Sequence, residues 1–211
     1  MRLDALPIEP TALLPFLAAV LLIEATPGPN MGYLAALSAS EGRAAGFKAV
    51  LGVTLGLAFY MVLAVVGVAE AIASAPLVYG FLRWAGVAYL LFLAWEAWRG
   101  AAETSPGHAQ TPDHAPFWRG LIANLLNPKA MVFYVALLPG FIDPQHAPVW
   151  VQALILGSLH LAVSLVVHAA IVLGAAHAGA LLAQGNGADA IRRGLAVCIA
   201  LVAIWLAWQT R

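Results

Sequence analysis

Apolar residues run along this chain in six long stretches, about 11–34, 47–70, 77–98, 117–141, 149–174 and 190–209. Each is near the roughly 20 residues that a helix needs to cross the hydrocarbon of a bilayer. None alternates apolar and polar positions over a length that suits a barrel strand, so the pattern predicts a bundle of transmembrane helices. The separators are of the kinds that end helices. SASEGRAAG (38–46) is small, polar and charged and predicts a loop. SAP, ending at Pro76, predicts a tight turn, and DPQHAP (143–148) a short one. GAAETSPGHAQTPDHAP (100–116) is the one long polar loop, with three prolines and two histidines, and AQGNGAD (183–189) is a glycine-rich breaker.

Two of the stretches are interrupted from within. The first carries IEATPGPNMGY (23–33), with Glu24, Pro27, Gly28, Pro29 and Asn30 inside an otherwise apolar run. Proline lacks the backbone donor and clashes with the turn before it, and it also pushes the residue preceding it out of helical angles. Two prolines around a glycine predict an unwound segment, which frees backbone carbonyls and exposes a helix N-terminus. Such groups are tolerated at membrane depth only against protein or a water-filled cavity. Carbonyls attract cations and a helix N-terminus attracts anions. The fourth stretch carries NLLNPKA (124–130), where Asn124, Asn127, Pro128 and Lys129 predict a second break. A Lys deep in a span costs about 2.5–3.5 kcal/mol by insertion scales, so it needs a partner, a cavity or a route to the interface. If the two breaks meet, Glu24 and Lys129 either pair or each take one end of a substrate.

The two breaks belong to a weak internal repeat. Arg83, Trp95 and Trp98 recur as Arg193, Trp205 and Trp208 at an offset of 110. FKAVLG (47–52) aligns with QALILG (152–157) at 105, and Pro27 with Pro128 at 101. Each half then holds three spans, so the halves sit in opposite orientation, the inverted-repeat plan of many transporters. The expected architecture is one all-α transmembrane domain over 1–211, with a first repeat of about 1–99, a linker of about 100–116 and a second repeat of about 117–211. Basic residues near the span ends set the orientation. Arg43, Lys48, Arg99, Arg119, Arg192 and Arg193 lie in loops one, three and five, against Arg2, Arg83 and Arg211 on the other side. Six against three predicts both termini outside. MRLDALPIEP is a poor start for a signal peptide, so the first apolar run is expected to stay in the membrane.

Composition narrows the function. Of 211 residues, 63% are hydrophobic and 9% charged, with zero net charge; soluble domains are nearer half apolar and a quarter charged. Lipid is therefore the expected surrounding, and nucleic acid is not a partner. The single cysteine, Cys198, leaves no disulfide, redox pair or thiolate metal cage. No phosphate-binding loop, dinucleotide fingerprint, zinc-protease or nucleophile-elbow motif is present, so no enzyme, cofactor or metal is expected. His160, Ser164 and His168 recur at i, i+4 and i+8 in the fifth stretch. They suit a proton relay, half of a metal site, or plain hydrogen bonds to a neighbouring helix. Gly46, Gly52, Gly56 and Ser158 are small residues that suit close helix packing, and such faces also permit a homodimer.

Several stretches together resemble the LysE/RhtB family of amino-acid exporters. They are TPGPN (26–30), SEGRAAGFKAVLGVTLG (40–56), GVAYLLFLAWEAWR (86–99) and FWRGLIANLLNPKAMVFYVALLPGFI (117–142), in that order. PGPN followed about 100 residues later by LLNPKA is the specific part. The chain departs from the pattern at Gly140, where many relatives carry Gln, and Glu24 stands outside the signature. The resemblance implies export of amino acids or close derivatives from a bacterial cytoplasm across the inner membrane, driven by the proton motive force. The expected substrate site is Glu24, Pro27, Gly28, Pro29, Asn30, Asn124, Asn127, Pro128 and Lys129, with Glu24 and His160 as candidates for proton coupling. The alternatives are an exporter of a divalent cation or other small ion on the same scaffold, and a membrane scaffold that transports nothing.

Overall fold

The computed structural model describes residues 7–26, 28–67, 76–102, 114–143 and 145–182, with isolated helical positions between 193 and 208. Helix α1 spans Pro10–Ala25 and α2 spans Pro29–Val65. Helix α3 follows over Pro76–Ala102, α4 over Ala115–Leu125, α5 over Pro128–Val132 and α6 over Val149–Leu182. A π-helical turn (Phe133–Leu137) and a 3-10 turn (Leu138–Phe141) extend α5. The described residues contain no strand. Among them, α2 and α6 are long and apolar enough to cross a membrane, and α4 with the segment Pro128–Phe141 joins them if that bent pair, angled at 52°, is one span. Most of the sixth apolar stretch, including Trp205 and Cys198, and the glycine-rich breaker lie outside the described residues.

The expected loop at 38–46 is helical instead. Every residue of α2 is helical except Gly42, whose φ of 84° and ψ of 177° let the chain fold back on itself. Those angles are open almost only to glycine. The flanking residues are good helix formers, so one glycine replaces a loop. The fold-back is visible in the packing: Leu34 and Leu37 share a buried cluster with Ala49 and Val50, and Ser38 sits against Gly46. The two arms, 29–41 and 43–65, form a helical hairpin. Helix α6 also runs further than its apolar stretch, to Leu182.

Close helix contact positions everything else. A Cβ on Gly52 would overlap the carbonyl of Phe117 in α4, and a Cβ on Gly120 would overlap the carbonyl of Ala49. The backbones of α2 and α4 therefore touch directly, the use of small residues expected for helices in lipid. Gly56 leaves room for Asn124, and Gly46 for Val172 of α6. Ser158 instead meets Met61, 3.8 Å from its sulfur. At the other end Arg193 lies 5.7 Å from the ring of Trp98, next to Arg99.

Among the described residues the surface is strongly apolar, and a mostly apolar interior encloses a buried polar cluster. Leu14, Leu22, Val166 and Trp208 are largely exposed. Glu24, Asn30, Asn124, Asn127, His160, Ser164 and His168 are all buried. That arrangement suits a hydrocarbon surrounding, where exposed apolar surface costs nothing and polar groups must find partners inside.

Candidate functional site

Both predicted breaks are present, and they face each other. After α1 the chain leaves helical angles at Thr26 (φ −73°, ψ 121°) and at Gly28, and Pro29 starts the next helix. Pro27 lies outside the described residues. In the second half α4 ends at Leu125, Asn127 is extended (φ −86°, ψ 109°), and Pro128 starts α5. Proline is suited to a first helical position because its missing donor has no partner there anyway. The Asn127 side chain accepts from the backbone N–H of Lys129 at 3.0 Å, capping the new helix.

The freed backbone groups have definite partners. Lys129 Nζ donates to the carbonyl of Thr26 at 2.9 Å. Tyr60 of α2 donates through its hydroxyl to the carbonyl of Leu125 at 2.6 Å. A third link joins the two breaks: Asn30 Nδ2 donates to Asn124 Oδ1 at 2.6 Å, with both residues buried. Asn30 Oδ1 and Asn124 Nδ2 have no hydrogen-bond partner. An unsatisfied buried amide group costs about 1–3 kcal/mol, so the buried pair carries one unpaired acceptor and one unpaired donor.

Glu24 does not pair with Lys129. Its carboxylate lies instead between two histidines of α6, with Oε1 3.3 Å from His160 Nε2 and Oε2 3.9 Å from His168 Nε2. The reason is positional. Glu24 is the last buried residue of α1 and faces α6, whereas the Lys129 ammonium is held at the unwound Thr26. The other nitrogen of His160 lies 3.1 Å from the hydroxyl of Tyr134. That of His168 lies 3.3 Å from Ser164 Oγ. The ring of Phe133 covers His160 at 3.7 Å between centroids.

Most of these residues line one narrow pocket, whose free volume of about 20 Å³ holds little more than a water molecule. Its polar wall contains Glu24, Gly28, Asn30, Asn124, Asn127, Lys129, His160, Ser164 and His168, and its apolar wall includes Ile23, Met31, Leu57 and Phe133. Of the site residues expected from the sequence, all of the described ones except Pro29 and Pro128 line it; those two start the helices that shape it. The Thr26 carbonyl is one of those the unwound TPGPN segment is expected to free, and Lys129 is the cation it meets. Tyr134 has no such signal in the sequence: it reaches His160 from within a π-helical turn, where side chains rotate off the α-helical period. His168 and Ser164, which by spacing alone suit a relay, a metal site or helix packing, hydrogen-bond to each other beside Glu24.

A family model described as LysE type translocator matches residues 21–210. The chain belongs to the LysE-type translocators. The family is one of transporters rather than enzymes, and the resemblance found in the TPGPN and LLNPKA motifs holds. Similar proteins include an uncharacterized membrane protein of Pseudomonas aeruginosa, 34% identical over 139 residues that cover 63% of this chain and 64% of that one. A leucine efflux protein of Salmonella typhimurium is 38% identical over 132 residues, 61% of this chain and 62% of that one. A homoserine/homoserine lactone efflux protein of the same organism is 35% identical over 148 residues, 69% and 71%. The alignments span about two thirds of these curated relatives. No solved structure matches this LysE-type chain.

Proposed function

We propose that this LysE-type translocator exports amino acids or close derivatives from the bacterial cytoplasm across the inner membrane. The observation that carries the reading is the meeting of two broken helices over a buried cavity, where Asn30 and Asn124 each keep one unpaired polar atom. Leucine and homoserine, for which two relatives are named, carry the ammonium and carboxylate that such a site complements. In this reading the substrate site comprises Glu24, Pro27, Gly28, Pro29, Asn30, Asn124, Asn127, Pro128 and Lys129. Asn124 Nδ2 donates to the carboxylate, and Asn30 Oδ1 with Glu24 takes the ammonium.

The proposed architecture is six helices in two inverted three-helix repeats, about 1–99 and 117–211, rocking about the site to give alternating access. Proximity of Arg193 to Trp98 and Arg99 supports placing loops three and five together on the cytoplasmic side. Proton coupling through Glu24 and His160 is energetically sufficient. One proton moving down about 150 mV releases roughly 3.5 kcal/mol, which sustains a gradient of some hundreds-fold for a neutral substrate.

Export of a divalent cation is not favoured. Two relatives with named substrates are efflux proteins for leucine and for homoserine and its lactone. Among the described residues, no group of three His, Cys, Asp or Glu is arranged to hold a metal ion.

The test is uptake by everted vesicles from cells that express the chain, energised by respiration and supplied with labelled leucine, homoserine and a panel of other amino acids. Uptake of at least one is expected, with loss in Asn124→Leu. No uptake of any amino acid, or uptake unchanged by Asn124→Leu and Glu24→Gln together, overturns the reading.

A further inference from the structure

We infer that Glu24, His160 and His168 form a single proton-holding site, and that the incoming proton and the outgoing substrate ammonium compete for its carboxylate. The inference rests on the exporter reading and adds to it the coupling device and a residue, His168, outside the substrate grips.

Geometry carries it. The two histidines lie eight residues apart on α6 and turn to the same carboxylate, one toward each oxygen, at 3.3 and 3.9 Å. Beyond each ring stands a hydroxyl, Tyr134 at 3.1 Å and Ser164 at 3.3 Å. A hydroxyl donates or accepts as required. The His160 imidazole can therefore be neutral in one tautomer or doubly protonated with both ring nitrogens hydrogen-bonded, whereas His168 is hydrogen-bonded through Nδ1 and faces the carboxylate with Nε2 at ion-pair distance. A backbone carbonyl in the hydroxyl's place would have fixed one tautomer. All three members are buried, with Glu24 5%, His160 1% and His168 4% exposed. A charge gained there is felt by the neighbouring groups and not absorbed by water.

Charge balance gives the competition its direction. Lys129 from α5 is the other charged group that lines the cavity, and its ammonium is held on Thr26. The remaining polar lining from α2 and the two breaks is neutral amide, and Tyr134 faces the array as a phenol. With Glu24 ionised and both imidazoles neutral, Lys129 offsets the carboxylate, and a zwitterionic substrate leaves the cavity neutral. A proton arriving from outside forms an N–H bond on an imidazole or an O–H bond on Glu24. The cavity then becomes positive, and the carboxylate is lost as a partner for the ammonium. The substrate leaves with all its bonds intact, and the proton is carried inward in its place.

Proteoliposomes separate this coupling from binding. Two quantities are measured with labelled leucine and homoserine: exchange of internal for external amino acid at equal pH, and uptake driven by an acid lumen. Wild type is expected to do both, with exchange inhibited as the pH falls. His168→Gln is expected to lose most of the acid-driven uptake while losing far less exchange, and its exchange should be less sensitive to acid. His168→Asn, which keeps a polar group toward Ser164, should behave alike, and monodisperse elution with an unchanged melting temperature establishes folding. A second readout is proton release when leucine or homoserine is added to purified protein in weakly buffered detergent, reduced in both variants. Equal loss of exchange and driven uptake, or neither lost, overturns the inference while leaving the exporter reading intact. Wild-type vesicles that exchange no amino acid of the panel sink the exporter reading and the competition with it.

Discussion

Lys129 Nζ donates to the Thr26 carbonyl at 2.9 Å, across 103 residues of sequence. The lysine of one broken helix thus fills the cation position that the other break creates. Half-buried Lys129 is anchored, not extended to the surface. Lys129→Met removes the ammonium and leaves that carbonyl without its partner. The melting temperature in detergent is expected to fall, by the equivalent of about 1–3 kcal/mol, and amino-acid exchange should fall with it. A lysine that merely snorkelled would give the opposite, a protein stabilised by methionine.

Asn30 and Asn124 tie the two halves together at the cavity. Asn30→Ala and Asn124→Ala should each raise the apparent KM for the exported amino acid, because each removes a free polar atom as well as their mutual bond. A double-mutant cycle on unfolding should return a coupling of about 0.6 kcal/mol, with about 1.7 as the ceiling known for such bonds in membranes. A coupling of zero would mean that the bond does not form in the resting state.

Gly42 turns α2 back with a φ of 84° and a ψ of 177°, and open space surrounds it. Gly42→Ala introduces no clash with a neighbour, only a backbone conformation foreign to alanine. The expected cost is about 1–3 kcal/mol, read as a lower melting temperature with the substrate KM little changed. No loss of stability would show that the hairpin tolerates other angles at this point.

Gly52 presents the opposite case, with ordinary helical angles but no space. Its Cβ would overlap the carbonyl of Phe117, so α2 and α4 must separate to admit it. Gly52→Val is expected to cost about 1–3 kcal/mol or more and to reduce transport as well, because α4 carries Asn124. Gly140→Val, where open space surrounds the glycine, serves as the comparison and should be far milder.

Much of the architecture was legible because lipid simplifies the code. Long apolar runs predicted helices, and prolines beside Gly28 and after Asn127 predicted two breaks, since a missing donor and a steric clash act locally whatever surrounds them. The segment 38–46 departs from its local signals. Polar and charged residues there imitate a loop, yet Gly42 alone supplies the reversal, and its neighbours keep helical angles.

What the sequence determined by itself was the set of elements, the places where helix must fail and the residue types left exposed there. Only the tertiary structure decided their partners. Glu24 and Lys129 carry opposite charges and invited pairing, but which groups meet depends on the rotation of α1 toward α6 and on the approach of α4 allowed by Gly52 and Gly120. Those placements turn the carboxylate to His160 and His168 and the ammonium to a backbone carbonyl. They follow from packing between residues far apart in the sequence, such as Gly52 with Phe117 and Glu24 with His160, which no local pattern records.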